Sequence, residues 1–266
     1  MLPYQIVHQP PIINSSMRLL LLLFILAGPV FCLAQLNHPL RKATVTPANI
    51  DSIIESEKHF SPNYSTPPPD GVNWYEFRKG KTNILIIAPH ATAQTREGRI
   101  KQADAGTGSL ALELNKLRDV SILYTTYLSP SDPNFYDNNS FKDSLSVILQ
   151  ASTPKFVIDL HASDSFRPYD IDFGTLNGKS LLNNEPMLDT LVNDLKDCGI
   201  ESLSRDYFPA EKSQTDTKFV YNKGIPCIQL EINSVFLSAG RGDLYAQKTA
   251  QLLQALLRFI DSLAKE

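Results

Sequence analysis

Two histidines stand just past short apolar runs, and an acid ends a third run. Ile84-Leu85-Ile86-Ile87-Ala88 leads to Pro89-His90, Phe156-Val157-Ile158-Asp159-Leu160 leads to His161, and Pro226-Cys227-Ile228-Gln229-Leu230 leads to Glu231. Short apolar runs of this kind read as buried strands of a parallel sheet. In open α/β sheets, ligands bind beyond the carboxyl ends of such strands. The other histidines, His8, His38 and His59, all precede the first run. Catalytic zinc takes three protein ligands and leaves one position for water, which it makes nucleophilic near neutral pH. Two imidazoles and a carboxylate at strand ends therefore predict a zinc hydrolase.

His90 and His161 are the expected nitrogen ligands. The acidic ligand has two candidates in the segment after His90. Asp104 precedes Ala105-Gly106-Thr107-Gly108, where a turn and a helix start hold the backbone. Its bland alternative is charge compensation at that helix start, worth a few tenths to about 1 kcal/mol. Glu97, in Thr95-Arg96-Glu97-Gly98-Arg99, has a more open setting. Asp104 is favoured and Glu97 stays as the alternative. Glu231 suits a general base, because an acid leaving an apolar strand needs a partner or a task. A structural salt bridge is the competing role. Arg96 and Arg167 are the expected carboxylate or oxyanion binders. Asp159 shares a strand face with His161, so it fits either an outer contact to that imidazole or the edge of the core. Asn233 fits substrate binding or a loop cap equally.

The elements that must carry these groups alternate in type. Ile50 to Phe60 predicts a short helix, closed by Pro67-Pro68-Pro69-Asp70-Gly71. Trp74 to Phe77 predicts a strand, residues 91 to 104 a polar loop, and Thr107 to Leu117 a helix. A strand over 120–126, a helix over 141–151, an extended segment at Ile171 to Gly174 and a helix over 188–195 follow. Cys227 to Ile232 is the last core strand and Tyr245 to Leu263 a closing amphipathic helix. This alternation predicts an α/β sandwich with a mixed, largely parallel sheet.

The chain has 266 residues, 42% hydrophobic and 20% charged, with a formal net charge of −3. That balance excludes the basic surface of a nucleic-acid binder. Met17-Arg18, the apolar stretch from Leu19, Gly28-Pro29 and the small residue Ala34 have the pattern of a secretory leader. The apolar stretch is shorter than the roughly 20 residues of a membrane span. Residues 1–34 are thus expected to be a leader starting at Met17, residues 35–72 a lead-in, and residues 73–266 the catalytic domain. Export to the periplasm or beyond implies an oxidising compartment. Cys198 and Cys227 remain after the leader; a disulfide between them is possible, although Cys227 reads as a core residue. Two cysteines do not make a cysteine zinc site, so any metal uses His and carboxylate ligands.

Ala88-Pro89-His90, the stretch from Thr95 to Asp104, and Thr107-Gly108 together resemble the N-formylglutamate amidohydrolase-like family. Asp159-Leu160-His161-Ala162, Asp170-Ile171-Asp172-Phe173-Gly174-Thr175 and Gly224 to Glu231 are similar to its later blocks. The resemblance spans roughly residues 70 to 260. It implies a three-layer α/β/α sandwich like that of zinc carboxypeptidases, with His90 and His161 as zinc ligands and Glu231 as general base. Related poly-γ-glutamate hydrolases carry Glu-Pro-Gly-Thr ahead of a helix, which resembles Asp104-Ala105-Gly106-Thr107 and supports Asp104. Two departures stand out: Ala93 occupies the last position of the carboxypeptidase-type His-x-x-Glu, and Ala162 replaces a common glycine.

The expected activity is zinc-dependent hydrolysis of amides in small N-acylated amino acids or peptides with a free carboxylate. Contact with a membrane is expected only through the leader. Manganese, iron or cobalt suit similar ligands. One alternative is ester or acyl hydrolysis on a cell-surface polymer; another is a binding module without turnover.

Overall fold

Among the described residues, the central strands form where the sequence concentrates β-branched and apolar residues between turn residues. The structure, a computed structural model, describes residues 43–264, so the leader expected over residues 1–34 lies outside the described residues. In chain order the elements are α1 (Pro47–Phe60), β1 (Tyr75–Arg78), β2 (Ile84–Ala88), β3 (Gln94–Arg96), β4 (Arg99–Lys101), α2 (Thr107–Arg118), β5 (Ser121–Thr125) and α3 (Ser140–Ser152). They continue with β6 (Phe156–Ser163), β7 (Ile171–Gly174), α4 (Glu185–Asp197), β8 (Leu203–Arg205), α5 (Asp216–Tyr221), β9 (Cys227–Asn233) and α6 (Asp243–Leu263).

Seven strands make one sheet in the order β1-β5-β2-β6-β9-β7-β8. The central β5, β2, β6 and β9 run parallel; β1 and β7 join antiparallel, and β8 runs parallel to β7. The sheet is mixed and largely parallel, as expected. Its two faces are unequal. Ile84, Ile86, Ile158, Leu160, Ile228 and Leu230 point to a large core shared with α1, α2, α4 and α6. Leu85, Ile87, Val157 and Cys227 point the other way, to a smaller cluster with α3 and α5. Helices on both faces give three layers.

The closing helix α6 shows what drives this packing. Leu252, Leu253, Leu256, Leu257, Phe259 and Ile260 are all buried along one stripe. Each such side chain contributes roughly 1.5–3 kcal/mol by leaving water. The lead-in helix α1 is tied to the same core through Ile50, Ile53 and Phe60. Asn49 Nδ2 and Ser52 Oγ donate to Glu113 at 2.9 and 2.7 Å, and Ser109 Oγ donates to Glu57 at 2.7 Å. The segment from Thr44 onward is therefore one compact unit, α1 included.

Two local features differ from the expectation. Residues 91–104 are no simple loop: β3 and β4 pair antiparallel in a separate two-stranded hairpin. Its turn residues Glu97 and Gly98 have φ of 52° and 71°, the left-handed pair that a two-residue hairpin demands. The short β8 and α5 have too few residues to leave a periodic signature. Cys198 and Cys227 stand as thiols, with Cys227 buried in β9. Among the described residues no helix is long and apolar enough to cross a membrane.

Candidate metal centre

The smaller core explains where polar groups are tolerated. On its side of the sheet, β6 presents Val157, then Asp159 and His161, while β9 presents Cys227, then Gln229 and Glu231. Apolar residues fill the part of this face packed against α3, and polar ones follow toward the strand ends, where Thr217 of α5 meets Asp159. Register aligns a row across three strands, with His161 opposite Glu231 and Glu231 opposite Asp172.

His90 lies two residues past β2 and is buried, as is His161. Asp104 reaches both from the turn before α2. Its backbone is clamped: the Asp104 N–H donates to His90 O at 2.7 Å, and Thr107 Oγ1 donates to Asp104 O at 2.7 Å. Gly106 makes the turn possible, with φ of 90° and no room for a Cβ, which would sit 2.4 Å from Leu237 O. Asp104 Oδ2 lies 3.5 Å from His90 Nδ1 and 3.2 Å from His161 Nδ1. The three groups have ligand atoms all within 4.8 Å of one another. Glu97, the alternative acid, sits exposed at the hairpin tip, with its N–H donating to Tyr136 Oη at 3.0 Å.

Both imidazoles are held from behind. His90 Nε2 is 2.9 Å from Asp132 Oδ1. His161 Nε2 is 3.0 Å from Asp159 Oδ1, although that contact lacks the alignment of a hydrogen bond. Asp159 Oδ2 accepts from Thr217 Oγ1 at 3.0 Å. Carboxylates behind metal-bound histidines orient the ring and raise its basicity. Asp159 thus takes the outer position that sequence allowed, and Asp132 is new. It lies 42 residues from His90, in an irregular loop after β5. Nothing in Ser131-Asp132-Pro133 singles it out.

The charges explain the ionisation of the group. Burial opposes a charged His90, but Asp104 and Asp132 overcome it and raise its pKa to about 9. Burial likewise opposes a charged His161, yet Asp159 and Asp104 lift it well above the usual imidazole value. Asp104 is held well below the ordinary carboxylate range: burial works against that, and the two imidazoles outweigh it. Burial pushes Glu231 up to about 7, with Asp104 adding to the effect and His161 opposing it. Gln229 Nε2 donates to Glu231 Oε1 at 2.9 Å. Deeper in, Asp216 is pushed up to about 7 by burial and by Asp159.

The arginines have distinct surroundings. Arg96 Nε is 3.6 Å from Asp132 Oδ2, too long for a hydrogen bond, and its guanidinium lies 5.1 Å from the centre of the Phe135 ring. Arg167 lies between two rings, 5.3 Å from the centre of Phe166 and 4.9 Å from that of Phe208. Asn233 is a loop fastener: Nδ2 donates to Tyr169 O at 3.1 Å and Oδ1 accepts from the Val235 N–H at 3.2 Å.

The donor set fits zinc. Tetrahedral zinc with bonds of about 2.0–2.1 Å places ligand atoms roughly 3.3 Å apart. The separations of 3.5 and 3.2 Å between the imidazole nitrogens and Asp104 Oδ2 bracket that spacing. Four carboxylates around two imidazoles also favour a cation. His90, Asp104 and His161 would hold the metal.

The fold and this cluster together define an α/β/α sandwich with a His-Asp-His centre at its strand ends. No protein-family model matches the chain, and no curated protein sequence matches it. Solved structures do. An N-formylglutamate amidohydrolase from Ralstonia eutropha JMP134 aligns with a TM-score of 0.55 at 13% identity, over 73% of this chain and 99% of the other. A gene product of Agrobacterium tumefaciens aligns with a TM-score of 0.50 at 12% identity, over 73% and 97%. At such identity the likeness is one of fold, and it is the fold that the sequence resemblance implied.

Proposed function

We propose that the chain is an exported, zinc-dependent hydrolase of amide bonds in small N-acylated amino acids or peptides with a free carboxylate. The observation that carries this reading is the convergence of His90 Nδ1 and His161 Nδ1 on Asp104 Oδ2, with Glu231 beside His161 in the same row of the sheet. Export rests on the leader pattern alone.

Zinc in such a centre supplies positive charge that polarises a carbonyl and makes water a nucleophile near neutral pH. The protein's own groups do the rest. Asp132 and Asp159 hold the two imidazoles so that Nδ1 faces Asp104. Glu231, with a pKa near neutrality, suits a base that takes a proton from the attacking water and returns it to the leaving nitrogen. Its orientation is set by Gln229 Nε2. Arg167, fixed between Phe166 and Phe208, suits the substrate carboxylate. Arg96 stands against Asp132, where its charge supports the carboxylate behind His90.

The test is hydrolysis of a panel of N-formyl and N-acetyl amino acids by the zinc-loaded domain and by Glu231→Gln. Amide cleavage by the wild type, reduced roughly 10²–10⁴-fold in Glu231→Gln with zinc retained, is expected from loss of a general base. Full activity in that variant overturns the role of Glu231. Cleavage of acetylated sugars with none of amino-acid amides overturns the substrate class.

A further inference from the structure

We infer that the site selects an aromatic or large apolar side chain beside the substrate carboxylate, with Phe166 and Tyr207 as its specificity-determining residues. The inference rests on the proposed function and names its substrate class. Two loops build the subsite. The first leaves the end of β6, two residues past His161, and carries Phe166, Arg167 and Tyr169. The second follows β8 and carries Tyr207 and Phe208.

Both loops are held rigidly against the catalytic row. Asp172, opposite Glu231 in the sheet, accepts the Tyr207 N–H at 3.1 Å on Oδ1 and the Phe208 N–H at 2.8 Å on Oδ2. Gly174 allows this approach, since a Cβ there would lie 2.6 Å from Phe208 O. Asn233 fastens the first loop through Tyr169 O. The loops then meet: Tyr169 and Tyr207 pack edge to face at 5.4 Å, and Arg167 joins Phe166 to Phe208.

This frame carries a buried unpaired donor and two exposed rings. Arg167 Nε is buried with no hydrogen bond, while the buried hydroxyls of Tyr169 and of Ser163, two residues beyond His161 on the same face, interact with each other. A buried donor without a partner calls for an acceptor, and a carboxylate supplies several lone pairs to a guanidinium. In the same two loops, Phe166 is 76% exposed and Tyr207 51% exposed, large rings kept in water. A carboxylate on Arg167 leaves the adjoining side chain to meet those rings. Arg96 already faces Asp132 and Arg205 already faces Asp206, so these two cations have carboxylate neighbours of their own. Apolar contact of this size is worth roughly tenfold or more in specificity.

The experiment compares kcat/KM for N-formylphenylalanine, N-formylglutamate and N-formylglycine in the zinc-loaded protein, in Phe166→Ala and in Tyr207→Ala. Both residues are surface-exposed, and a thermal melt verifies folding. Calorimetric binding of 3-phenylpropanoate, propanoate and glutarate, with and without zinc, gives a second readout. The expected result is a preference of at least tenfold for the phenyl substrate and ligand, with the phenyl-to-glycine ratio falling about tenfold in either variant and restored in Phe166→Tyr. Hydrolysis without preference, or with preference for glutamate, overturns the inference and leaves the proposed function standing. Selective binding of 3-phenylpropanoate that Phe166→Ala abolishes, with no hydrolysis of any amide, supports the subsite and overturns the hydrolytic reading.

Discussion

Asp132 Oδ1 lies 2.9 Å from His90 Nε2, on the opposite edge of the ring from Asp104. The carboxylate is fully buried, and the His90 imidazole and the Arg96 guanidinium lower its pKa. A buried carboxylate is costly unless paired, so this one is retained where its charge is needed. It leaves Nδ1 of His90 facing the cluster.

Removing that carboxylate is expected to weaken zinc binding by about 10–100-fold, the usual effect of losing a group behind a metal-bound histidine. Competition of Asp132→Asn against a chromophoric chelator measures it. Unchanged affinity contradicts the assignment.

The metal-free protein is expected to lose stability as pH rises from 5 to 9. Glu231, with a folded pKa of about 7 against an ordinary 4.5, holds an extra proton when folded, so its contribution fades as pH rises through that window. His90, raised from 6.5 to about 9, acts in the same direction between those values. Zinc displaces protons from its ligands, so the stabilisation by zinc grows with pH. Melting temperatures with and without a chelator across this range test both trends. A gap between the two that narrows toward pH 9 contradicts them.

The turn beneath Asp104 depends on one glycine. Gly106→Ala places a Cβ against Leu237 O in a left-handed conformation, and strain of this kind costs of order 1–3 kcal/mol. Urea unfolding is expected to show that loss, together with weaker zinc binding, because the turn carries Asp104. Wild-type stability in both measurements contradicts this.

Much of this arrangement was legible in the sequence because it obeys short periodicities. The apolar runs before His90, His161 and Glu231 became β2, β6 and β9, and the turn chemistry before Thr107 placed Asp104. Helices α2, α3 and α6 began and ended within a few residues of their expected bounds, since amphipathic spacing and caps such as Asn139 mark them. What escaped notice was non-local or very short. Glu97-Gly98 is a hairpin turn signal set among charged residues, with no clean alternation around it. Asp132 meets His90 only through the tertiary path of a loop. Arg167 was visible as a cation, but its place between Phe166 and Phe208 depends on Asp172 holding a distant loop.

The central claim is tested most directly by elemental analysis of the purified chain from residue 35 onward, beside His90→Ala and His161→Ala. The expected result is about one zinc per chain in the wild type, lost from both variants, as three protein ligands with an open position require. Carefully handled wild-type protein that binds no transition metal, even when zinc is supplied, contradicts it.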